Sequence, residues 1–122
     1  MEIAEKEDDK RTYMACIGNI ANIYEAFGDY EANLFYLLKG YKMSKKLNDE
    51  ELIGKYLTNI VPAYCHLGNI KKAKEYYDIA KKMQVSKNAT QWEYFLIYNS
   101  ARIKQAERKY DEAVKDHLRA AA

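Results

Sequence analysis

A chain of 122 residues, 48% apolar and 31% charged, has the composition of one folded domain rather than of a disordered segment. Its net charge of +2 is too small to imply nucleic acid, and its two cysteines lack metal or redox spacing. No stretch approaches the roughly 20 apolar residues that span a bilayer, and no signal peptide precedes the first helical stretch.

Taken in chain order, the elements read as helices. Residues 1–9 (MEIAEKEDD) match 41–49 (YKMSKKLND) at a shift of 40, sharing Lys6/Lys46 and Asp9/Asp49, and read as the tail of a helix. Residues 10–27 carry Tyr13, Ile17, Ile20, Tyr24 and Phe27 at helical spacing. Gly28 supplies a permissive helix-ending residue and Asp29 a cap for the next helix, 30–47, with its stripe of Leu34, Leu37, Leu38 and Tyr41. Asn48 to Glu51 fits a capping box that opens a helix over about 50–67. Gly68-Asn69 repeats the Gly28-Asp29 break, and Ile70 starts a helix that runs to about Met83. A second capping box, Thr90 to Glu93, opens 91–107, and a last helix spans about 110–121. The expected inward-facing anchors are Ile20, Tyr24, Leu37, Leu57, Ile60, Tyr64, Tyr77 and Ile97.

These helices repeat. Asn19, Asn59 and Asn99 recur every 40 residues, with Ile17/Leu57/Ile97, Tyr24/Tyr64, Gly28/Gly68 and Tyr30/Ile70/Tyr110 at fixed offsets. Fixed-period self-similarity indicates a solenoid, in which each repeat buries its apolar face against its neighbours. The organisation expected is a helix tail at 1–9 and repeats at 10–49, 50–89 and 90–122, cut from a longer array.

The stretches IANIYEAFGDYEANLFYLLKG and IVPAYCHLGNIKKAKEYYDIA resemble the tetratricopeptide repeat (TPR). In that family the first helix of each pair ends in Tyr and Gly and the second opens on an aromatic. Matching small positions are Ala21, Val61 and Ala101, then Asn33, Ala73 and Ala113, and Gly40, Ala80 and Ala120. Val61 and Asn33 are larger than the pattern prefers, Arg108 replaces the turn Gly, and Lys104 replaces the Tyr. A period of 40 instead of 34 is similar to the stretched arrays of bacterial signalling regulators, and also to kinesin light chains and spindle-orientation scaffolds. The resemblance implies an all-α solenoid of three helical hairpins in a right-handed superhelix, the first helix of each pair lining a concave groove.

The resemblance also implies a peptide ligand. A carboxamide both donates and accepts, so Asn19, Asn59 and Asn99 match the backbone of an extended peptide whatever its side chains are. Asn22, Lys55, Thr58, His66, Phe95, Tyr98 and Arg102 project onto the same groove, with Ala15, Gly18, Pro62 and Gln105. The competing reading makes each Asn a packing device between helices. Pro62, inside a helix, removes the hydrogen bond to the Thr58 carbonyl, and either bends the helix or presents that carbonyl.

Chemistry is sparse. Cys65-His66 points two ways around a helix and no second ligand pair exists, so no metal or other cofactor is expected. His66 and His117 lack a nucleophile or carboxylate constellation, and no phosphate loop occurs, so an enzyme is not expected. Lysines at 42, 45, 46, 71, 72, 74, 81, 82 and 87 stand beside acidic residues and read as a solvated face. The leading expectation is a non-catalytic peptide- or protein-binding segment of a bacterial transcription or two-component regulator, with no nucleic acid or membrane contact of its own. The alternative is a scaffold that joins domains or self-associates through open solenoid ends. A cytoplasmic setting is favoured, with a periplasmic one for a membrane-anchored sensor.

Overall fold

The computed structural model describes residues 2–83 and 89–121. Five helices, and no strand, occur among the described residues: α1 (Glu2–Ala26), α2 (Tyr30–Lys46), α3 (Glu50–His66), α4 (Ile70–Lys82) and α5 (Ala89–Ala121). The chain divides into two compact units, residues 1–56 and 57–122, with the boundary inside α3.

Three turns share one chemistry. Gly28 and Gly68 have φ of 76° and 78°, and Asn48 has φ of 53°. In each turn the left-handed residue and its successor close the helix by backbone hydrogen bonds. Gly28 N–H donates to Glu25 at 2.9 Å and Asp29 N–H to Tyr24 at 2.9 Å; Gly68 and Asn69 do the same to Cys65 and Tyr64 at 3.1 and 2.9 Å. The next residue then caps the following helix through its side chain: Asp29 accepts from Ala32 N–H, Asp49 from Leu52 N–H and Asn69 from Lys72 N–H. Asn48 is therefore not the cap of α3, as its capping-box spacing suggests. Its short polar side chain tolerates the left-handed region, which leaves Asp49 to cap. The proposed box at Thr90–Glu93 begins on a side chain outside the described residues.

Two of the expected helix breaks are absent. α1 runs through the junction at residues 9–10, so the expected tail and first helix are one element. α5 runs through Arg108 and Lys109, where an exposed Arg108–Glu112 ion pair at 3.2 Å spans one turn. Arg and Lys are good helix formers, and neither supplies the left-handed turn or the side-chain cap found at Gly28-Asp29 and Gly68-Asn69.

In the first unit α1 packs on α2. Ala21 is buried, and Asn33 Nδ2 donates to its carbonyl across the helix pair at 2.7 Å. The bulk of Asn33, which the repeat pattern disfavours, is thus used as an interhelical bond. Tyr56, from the first half of α3, is buried and donates to the Met14 carbonyl at 3.1 Å. Its ring fills the space a β-carbon would need at Gly40, and its hydroxyl lies 3.6 Å from where one would stand at Gly18. Tyr24 stacks on Tyr36 with centroids 5.7 Å apart, and Arg11 pairs with Asp49 at 3.1 Å.

In the second unit Leu57, Ile60, Val61, Ala73 and Ala80 are buried. Tyr64 stacks on Tyr76 at 5.5 Å, the same ring pair one period later. α4 packs on α5, where Lys74 and Glu107 form a 3.0 Å ion pair. α5 turns Asn99 and Ile103 inward. Of the expected anchors, Leu37, Leu57, Ile60 and Tyr64 are buried and Tyr24 and Tyr77 partly so. Ile20 and Ile97 are exposed, at 37% and 70%. Ile97 lies on the side of α5 turned away from the buried Asn99 and Ile103, whereas Ile20 lies at the edge of the buried face of α1 formed by Met14, Ile17 and Ala21.

Gly40→Ala should destabilise the protein by roughly 1–3 kcal/mol, because the new methyl would overlap the buried Tyr56 ring and force it off its hydrogen bond to Met14. Leu57→Ala or Ile60→Ala should cost roughly 2–5 kcal/mol. Chemical denaturation measures both; a loss below about 0.5 kcal/mol at Leu57 and Ile60 contradicts this packing. Burial raises the Tyr56 pKa above its ordinary 10.0. The neutral phenol is then favoured by folding, so its contribution is constant below that pH and lost as pH rises through the raised value. Tyr56→Phe should flatten the alkaline fall of the thermal midpoint.

Candidate functional site

The expected groove residues do not share one environment. Asn19 and Asn22 are exposed on α1 in the first unit. In the second unit Asn59 is exposed on α3, whereas Asn99 is 1% exposed, with neither carboxamide atom hydrogen-bonded to a described residue. The three asparagines are therefore unequal in their access to solvent, although their spacing is exact. Lys55 and His66 are exposed, and Thr58 and Phe95 are half-buried.

Tyr98 and Arg102 do come together. Arg102 donates from Nε and Nη2 to the Tyr98 hydroxyl at 3.1 and 2.9 Å, and its guanidinium lies 5.4 Å from the ring centroid. One helical turn separates them, so the phenol holds the guanidinium against α5 and restricts its rotamers.

Arg102 also lines a small open cleft of about 60 Å³ in the second unit, with Cys65 and His66 at the end of α3 and Gln105, Ala106 and Lys109 on α5. Arg102, Gln105, Ala106 and Lys109 fall on one face of α5 by their i, i+3, i+4, i+7 spacing. The sequence places His66, Arg102 and Gln105 in a groove, but not Cys65, Ala106 or Lys109. That spacing was the available signal. It was masked by the expected turn at Arg108, which would have carried Lys109 off the helix.

The cleft has a positive bias. Arg102 and Lys109 contribute cations, and the nearby Glu107 carboxylate is tied to Lys74. Burial pushes the Cys65 thiol above its ordinary pKa; Arg102 opposes this and Glu107 adds to it. A thiol so held is a weak nucleophile, and no cluster of three metal-ligating side chains occurs among the described residues.

Cys16 and Cys65 are both free thiols. The lysines at 42, 45, 46, 71, 72, 74, 81 and 82 are exposed, while Lys87 and the side chain of His117 lie outside the described residues. No described helix is long and apolar enough to cross a membrane. No family model, no curated protein and no solved structure matches this chain.

With iodoacetamide at pH 8, exposed Cys16 should be alkylated well before Cys65, as read by peptide mass spectrometry. Arg102→Ala removes the charge that lowers the Cys65 pKa, so Cys65 should react more slowly still. Faster labelling of Cys65 in that variant would show that Arg102 acts as a shield rather than through its charge.

Proposed function

We propose that this chain is a non-catalytic, TPR-like solenoid segment that binds an extended acidic peptide or protein segment. It would serve as the sensor or interaction region of a bacterial regulatory protein. The observation that carries the reading is the cleft in which Tyr98-braced Arg102 stands with Lys109, His66 and Gln105. A guanidinium fixed before a ligand arrives loses little rotamer entropy on pairing with a carboxylate. The 40-residue period and its resemblance to stretched TPR arrays support the repeat class and the regulatory setting. In this reading Asn59, exposed on α3, remains a backbone-binding amide, and Asn99 takes the packing role.

A second reading is a self-associating scaffold. It is favoured by Tyr94, Ile97, Tyr110, Val114 and Leu118 of α5, all exposed. Apolar side chains at helical spacing on an uncovered helix are a general cause of association.

Calorimetric titration with Glu- and Asp-rich peptides tests the first reading. Binding should weaken with salt, and Arg102→Ala should lower affinity roughly tenfold or more, the usual scale for a charge-assisted hydrogen bond. Unchanged affinity in Arg102→Ala, or no binding of any acidic peptide at millimolar concentration, removes it. Sedimentation equilibrium tests the second, which requires mass to rise with concentration.

A further inference from the structure

α5 leaves exposed the positions that, at the 40-residue period, are buried in α1 and α3. At the 40-residue period, Ile17, Leu57 and Ile97 are equivalent, and their exposures are 3%, 0% and 70%. Ala21 and Val61 are buried, while Ala101 is exposed. At the preceding turn Met14 and Gly54 are buried, while Tyr94 is exposed. In the first unit this face of α1 is met by α2, which follows the Gly28 turn; Asn33 bonds to the Ala21 carbonyl there. The stretch at the register of α2 and α4 is 110–119, which carries Tyr110, Ala113, Val114 and Leu118, all exposed. That stretch continues straight on as the second half of α5.

The register pairs fit. Tyr24 stacks on Tyr36, and Tyr64 stacks on Tyr76. Their equivalents one period further on are Lys104 and Asp116, a cation and an anion. Lys39 sits over the Tyr13 ring at 5.8 Å, and the equivalents two periods on are Arg119 and Glu93, again of opposite charge. Asn33 on Ala21 becomes Ala113 on Ala101, two small residues that allow close approach. All six side chains are exposed in the straight helix.

We infer that α5 is a two-state strap, in which residues 110–119 fold back at Arg108-Lys109 and close over Glu93, Tyr94, Ile97, Ala101 and Lys104. Local chemistry favours the straight form, because Arg108 and Lys109 stand where Gly and Asp or Asn make the other turns. Apolar burial and charge pairing favour the closed one. The occupant is this chain's own segment: tethering by a two-residue turn keeps it at high effective concentration beside the face it covers.

Disulfide trapping tests this in a Cys16→Ser, Cys65→Ala background carrying Ala101→Cys and Ala113→Cys. In a straight helix those α-carbons are about 18 Å apart, whereas a disulfide requires less than about 7 Å. An intramolecular disulfide should form under oxidised glutathione, with helical content unchanged by circular dichroism. Arg108→Gly with Lys109→Asp, which restores the turn and cap, should speed trapping roughly tenfold or more. Lys104→Asp should slow trapping severalfold, and adding Asp116→Lys should restore it. Absence of the intramolecular bond in the natural Arg108-Lys109 background overturns the strap. So does a rate indifferent to the turn residues, which would leave the hinge elsewhere. Disulfide-linked dimers alone would give the face to a second copy and transfer it to the scaffold reading.

Discussion

The first unit depends on how closely one phenol can approach two helices. Tyr56 lies where a side chain on Gly40 would have to be, passes over Gly18, and ends on the Met14 carbonyl. A glycine inside a helix costs roughly 0.5–1 kcal/mol relative to alanine. Burying an aromatic ring and satisfying its hydroxyl offsets that cost, so the glycine persists where helix propensity argues against it. Around this contact the remaining pairs fall into place: Asn33 on the Ala21 carbonyl, Tyr24 on Tyr36, and Arg11 on Asp49 at the edge.

A second constraint acts at the turns. A helix that reverses sharply needs one residue with positive φ and a side-chain acceptor just after it, and Gly28-Asp29, Asn48-Asp49 and Gly68-Asn69 each provide the pair. Arg108-Lys109 provides neither, and the helix continues. With Arg108 and Lys109 at the two turn positions, the apolar face of α5 at Tyr94 and Ile97 is left in solvent. The unbroken helix also places Lys109 beside Arg102 on one face of α5, so the same local choice shapes the cleft. Turn chemistry and the charge of the cleft are coupled through two residues.

The cleft is modest and carries a positive bias. A braced guanidinium, a second cation and an amide can hold a carboxylate, while the one thiol present is pushed toward its protonated form by burial. Asn99 shows how an exact repeat can change meaning along a chain. Asn59 faces solvent, whereas its equivalent one period later is enclosed in the second unit, where Ile103 is also buried.

The sequence by itself determined the helical class, the helices from Tyr30 to Lys82 within a residue or two, and two of the three sharp turns. These features are local, set by 3.6-residue periodicity and by glycines followed by capping side chains. It also marked Leu37, Leu57, Ile60 and Tyr64 as core, because each lies on an apolar stripe at helical spacing. Only the tertiary structure decided that Asn48 turns and Asp49 caps, that α1 and α5 run unbroken, that Ile20 and Ile97 face solvent, and that Lys109 joins Arg102. Periodicity states which residues share a face of a helix. Whether that face is covered depends on which helix returns to meet it, and in α5 that rests on the backbone at Arg108 and Lys109.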